Sequence, residues 1–67
     1  MTKVDYLCIK RLQRRFHTLP LDKEWLKRKL GKEGERVYKI LLEAIEEGKL
    51  KRIHSADWDV VYIDELR

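Results

Sequence analysis

"WLKRKLGKEGERVYKILLEAIEEGKL", residues 25–50, decides how this chain folds. At about 100° per residue, Val37, Ile40, Leu41, Ala44 and Ile45 fall on one face, widened by Tyr38 and Leu42. That spacing predicts a helix from Glu33 to about Glu47, closed by Gly48 in the place where glycine ends helices. Upstream, "KEWLKRKL" puts Leu26 and Leu30 on one face. Asp22 is its expected N-cap, Glu24 sits in its first turn, and Gly31 ends it. Only "GKEG" separates the two helices, so they form a tightly turned pair.

Working outward, the N-terminal stretch 3–17 also reads as a helix. Val4, Cys8, Ile9, Leu12 and Phe16 share one arc, with Lys3, Lys10 and Arg14 behind and Arg11 and Arg15 on a flank. Leu7 and Tyr6 lie off that stripe. "HTLPL" breaks the helix, and Pro20 pushes Leu19 into an extended conformation, so a strand of one to three residues is expected there. After Gly48 the period changes from 3.6 to 2. "KLKRIH" and "WDVVYID" form two β-rich runs around a short polar turn, which predicts a hairpin. Alternation puts Arg52 and His54 on one side with Lys51 and Ile53 on the other, and sets Val61 and Ile63 opposite Val60 and Tyr62.

Composition narrows what such a chain does. At 67 residues it is one domain, and 43% hydrophobic with 42% charged residues describes a globular protein. No apolar run approaches the ~20 residues of a membrane span, and "MTKVDYLCIKR" lacks the apolar segment of a signal peptide, so a cytoplasmic protein is expected. The single Cys8 excludes an internal disulfide and reads as a small core residue. Asn is absent and Gln13 is the one Gln, while Lys and Glu abound; that exchange of labile amides for charges is a thermophile habit. Residues 1–31 carry nine Lys or Arg against three acidic residues, and residues 32–67 carry seven against nine. A basic half points to a polyanionic partner; the alternative is a solvated thermophile surface.

The order helix, short strand, helix, turn, helix, hairpin resembles the winged helix-turn-helix family over nearly the whole chain. The resemblance rests on "WLKRKLG", "GKEG" and "EGERVYKILLEAIEEGKL", with Val37, Leu41, Ala44 and Gly48 at the family's apolar and glycine positions. The family places an apolar residue directly after that glycine, where this chain has Lys49 and then Leu50. The hairpin tip also lacks the Arg- or Gly-rich character of many DNA-inserting wings. The resemblance implies an α+β, mainly α, winged-helix domain spanning residues 1–67. It further implies double-stranded DNA as partner and a role in transcription regulation, and the amide-poor, charge-rich composition adds the expectation of an archaeal or viral thermophile setting.

Helix three would then enter the major groove with Lys32, Arg36 and Lys39, while Lys23 and Lys27 hold phosphates and Lys51, Arg52 and His54 act from the wing. Against this, the outward arc of that helix holds Glu35, Arg36, Lys39, Glu43, Glu46 and Glu47, and i,i+4 pairing of Lys39 with Glu35 and Glu43 describes a self-neutralised face. The same fold also serves as a protein-docking subunit. Trp58 is expected to fold back over helix three; exposed, it would stack on a base or anchor a partner. Trp25 reads as a core or interface aromatic before a ligand platform. The densest cationic patch, Lys10, Arg11, Arg14 and Arg15, suits DNA, RNA or an acidic protein. Tyr6, Leu7 and "YIDELR" are the surfaces available for a homodimer. His17 and His54 have no partners at metal-ligand spacing, Ser55 beside His54 lacks an orienting carboxylate, and "GKEG" is no phosphate loop. Neither an enzyme nor a metal or cofactor site is expected.

Overall fold

The computed structural model describes residues 1–66. Thr2 caps the first helix, α1 (Lys3–Leu12), by accepting the Asp5 N–H at 3.1 Å. A three-residue strand, β1 (Thr18–Pro20), leads to α2 (Lys23–Leu30). There the Asp22 carboxylate accepts the Glu24 and Trp25 N–H groups, as its sequence position predicts. After Gly31 (φ +67°) the chain enters α3 (Glu33–Glu46). Strands β2 (Lys51–His54) and β3 (Asp59–Tyr62) form the hairpin, and a 3₁₀ turn follows at Ile63–Glu65.

The three strands form one antiparallel sheet in the order β1-β3-β2. The element sequence and this sheet give a mainly α, α+β architecture with a winged-helix-like layout. Leu19 pairs with Val61 across β1 and β3, and both are fully buried against the helices. They meet Ile9 of α1, Leu26 of α2, Val37 and Leu41 of α3, and Ile63 beyond β3 in a single core.

Two glycines shape the helical pair and its exit. Gly34, in the first turn of α3, lies so close to α2 that a Cβ there would sit 2.6 Å from Lys27 Cα and closer still to the Leu26 carbonyl. Only a residue without a side chain allows that approach. Gly48 (φ +75°) closes α3 with a Schellman pattern: Lys49 donates to the Ala44 carbonyl at 2.8 Å and Gly48 to that of Ile45 at 3.0 Å. The buried apolar residue that normally seals this motif arrives one position late, as Leu50, because position 49 is Lys.

Three expectations fail, the first two because distant segments overrule local pattern and the third because the tight 55–58 turn carries the indole at the hairpin tip. Helix α1 stops at Leu12 rather than running to residue 17. The Gln13 amide leaves the helix axis to donate to the carbonyls of Ile63 (2.6 Å) and Leu66 (3.0 Å), and Phe16 turns to meet Trp25 edge-on with ring centroids 6.3 Å apart. Val4, assigned to the apolar arc, is 59% exposed, because α3 and the tail cover only the Cys8–Ile9 side of α1. Trp58 does not fold over α3: it stands 63% exposed at the hairpin tip. Within the C-terminal segment "YIDELR", Ile63 and Leu66 are core residues, and Tyr62 keeps an exposed apolar side chain.

Candidate nucleic-acid interface

The cations of α1 and α2 converge. Arg11, Arg14 and Arg15, from the end of α1 and the turn beyond it, line one groove with Lys29 from the last turn of α2. Leu12, Leu30 and Cys8 form its floor, and Glu33 closes one side. Lys32 stands in the turn before α3, next in sequence to Glu33. Burial pushes the Cys8 thiol up, with the Glu33 carboxylate adding to the effect, so this cysteine stays a protonated packing group. Arg15 lies over the Phe16 ring (5.4 Å to its centroid) and Lys10 over that of Tyr6 (5.9 Å), which holds both cations near the surface instead of letting them trail into solvent. Tyr6 itself is half-buried against the core, whereas Leu7 is 50% exposed.

The positions expected to read DNA divide into free and engaged groups. Lys27, Lys32, Lys39 and Lys51 have no carboxylate within 4.0 Å among the described residues, and neither do Lys10, Arg11, Arg14, Arg15 or Lys29. Lys23 is drawn to Glu35 of α3 at 3.4 Å, and its hydrogen bond and charge hold that carboxyl below the usual range. The expected Lys39 pairing with Glu35 is therefore secondary, because the start of α2 supplies a nearer partner. Arg36 reaches Asp5 of α1 at 3.6 Å, keeping its guanidinium at the α1–α3 seam.

In the hairpin, register decides direction. Arg52 pairs with Val61, and His54 with Asp59, so both side chains stand on the helix-facing side. The Arg52 guanidinium makes a two-pronged contact with Asp59, Nε to Oδ1 at 2.7 Å, and His54 Nδ1 is 3.6 Å from the same carboxylate. The Arg52 hydrogen bond is the main cause holding the Asp59 carboxyl low. Thus the wing's own acid occupies Arg52. Lys51, on the opposite side, is free. At the tip, Ser55 donates its N–H to the Trp58 carbonyl at 2.8 Å, and the turn presents Asp57 and Trp58 rather than cations.

The outward arc of α3 keeps its mixed character, with Arg36 and Lys39 near the start, Leu42 39% exposed, and Glu43, Glu46 and Glu47 toward the end. Sequence reading missed Lys29 as a site residue. Its place in the last turn of α2 marks it as dipole-favoured, but only packing brings α2 against Arg11, Arg14 and Arg15. The arrangement is therefore polar: cations gather where α1 ends and α3 begins, and carboxylates gather at the hairpin tip and the end of α3. Compared with protein-family models, with curated proteins and with solved structures, the chain shows no match to any.

Proposed function

We propose that this chain is a winged-helix-type DNA-binding protein that acts in transcription regulation in the cytoplasm, and that it meets the duplex with its cationic pole. The observation that carries this reading is the groove in which Arg11, Arg14, Arg15 and Lys29 face solvent together with no carboxylate partner among the described residues. Arginines suit phosphates because the planar guanidinium donates two parallel hydrogen bonds. Lys32 extends the contact to the helix turn. Arg36 and Lys39, in the first turns of α3, would approach base edges while Glu43, Glu46 and Glu47 tilt away from the groove. Lys27 lies on α2 as a further backbone contact, while Lys23, drawn to Glu35, and the wing, whose Arg52 is held by Asp59, play the smaller part.

Titration of a labelled duplex over a range of salt concentrations tests this. Each phosphate neutralised steepens the log–log salt dependence by about 0.9. The Arg14→Ala/Arg15→Ala variant is expected to flatten that slope by about 2 for every sequence tried. Arg36→Ala/Lys39→Ala is expected to cost about 1–3 kcal/mol on a preferred site and less on others. A slope unchanged by the first variant defeats the proposal.

The acidic end of α3 favours a second reading, in which the fold is a docking subunit of a transcription or replication assembly. Leu42 exposed beside Glu43 and Glu46 suits a basic protein partner. Under that reading duplex DNA does not bind even at low salt.

A further inference from the structure

The sheet has one side packed on the helices and one side open. Register places Pro20, Val60 and Ile53 in one row across the open side, and Thr18, Tyr62 and Lys51 in the next. Ile53 is 37% and Tyr62 39% exposed. Trp58, 63% exposed, borders Pro20 and Val60 and extends the apolar patch to the hairpin tip. Large apolar side chains in contiguous array are unusual on a surface that meets only water. At the hairpin tip the patch is bordered by Asp22, Lys23, His54, Asp57 and Asp59, of which Lys23 pairs with Glu35 and Asp59 with Arg52. Lys51 stands at one end of the strands and Asp57 at the other, and neither has an ionic partner among the described residues.

We infer that this open sheet face associates with the same face of a second copy, around a two-fold axis passing near the Ile53–Val60 pair. With that axis lying in the plane of the contact and running across the strands, the rotation reverses strand direction and brings the Lys51 end of each copy to the Asp57 end of the other. The face is complementary to itself in charge as well as in its apolar character, which an isologous contact requires. The other exposed apolar strip, Val4 and Leu7 on α1, is bordered by Lys10, Arg11 and Arg14, so two copies joined there would repel. A nucleic-acid strand stacked on Trp58 and Tyr62 would find one cation offset by Asp57, a poor setting for phosphates. The patch is smaller than the ~800 Å² per partner of a standard interface, so dissociation on the order of 100 μM is expected. Trp58 supplies its anchor, as large aromatic side chains do at such centres.

The inference concerns the protein without DNA, so it stands or falls separately from the proposed function. Sedimentation equilibrium over a wide concentration range is expected to show the mass rising from 8.2 kDa toward that of a dimer. Lys51→Glu and Asp57→Lys, each setting two like-charged pairs across the axis, are expected to weaken association about tenfold. The Lys51→Glu/Asp57→Lys double variant restores opposite charges and is expected to recover most of the loss. Trp58→Ala is expected to weaken association about tenfold or more, with circular dichroism unchanged because the indole is outside the core. A monomeric mass at every concentration, single reversals that associate like the wild type, or a double variant no better than the singles would each overturn the inference.

Discussion

Gly34 and Gly48 show how differently one residue type serves this fold. At Gly34 the constraint is space: the backbone of α2 occupies the volume a methyl group would need. At Gly48 the constraint is the positive φ alone, with nothing within 4 Å of a notional Cβ. Gly34→Ala must push two helices apart, and is expected to cost about 3 kcal/mol or more in chemical denaturation. Gly48→Ala strains one residue and is expected to cost about 1 kcal/mol. Equal losses would refute the distinction. Gly48 was readable from the sequence because a glycine after a periodic apolar run has a known use. Gly34 was not, since nothing local distinguishes a helix glycine pressed against a neighbour from one in open solvent. The same holds for Arg52, whose period places it on a side of the strand but cannot reveal that Asp59 is there to meet it.

Among the elements, those with strong local signals formed where expected. Helix α2 runs from its Asp22 cap to its glycine, α3 follows its apolar stripe, and the hairpin follows the change of period. Replacing the cap, Asp22→Ala, leaves the Glu24 and Trp25 N–H groups without their acceptor and is expected to lower stability by about 1 kcal/mol in thermal or chemical denaturation. An unchanged midpoint would mean that tertiary packing alone fixes the start of α2. Helix α1 is the element whose limits were not local. Its pattern continues through Phe16, yet the tail carbonyls capture Gln13 and the Trp25 ring captures Phe16. Gln13→Ala removes both tail hydrogen bonds at once, and is expected to cost about 1–2 kcal/mol because two half-buried carbonyls lose a donor. Hydrogen exchange that slows rather than quickens around Ile63 in this variant would contradict that account.

At the scale of the molecule, individual ion pairs knit the elements together. Glu35 is held low by Lys23, Glu47 by hydrogen bonding to the Met1 ammonium, and Asp59 by Arg52. In the unfolded chain these carboxyls titrate near pH 4. Their folded values lie lower, so their contribution is complete above that point and disappears as pH falls through the folded values. The melting temperature is therefore expected to hold from neutrality to about pH 5 and to decline below it, and Asp59→Asn is expected to make the decline shallower. Added salt should reduce the effect, because all three groups lie at the surface. The basic half was visible in the sequence as a charge imbalance, but its focus on one groove depended on how α1 and α2 are set side by side.

The central position of β3 has a consequence for how the protein comes into being. Both flanking strands precede it along the chain and neither pairs with the other, so no part of the sheet can form until β3 has been made. A chain that lacks β3 therefore leaves Leu19 without the Val61 that pairs with it, and the two outer strands become a sheet only through the one between them.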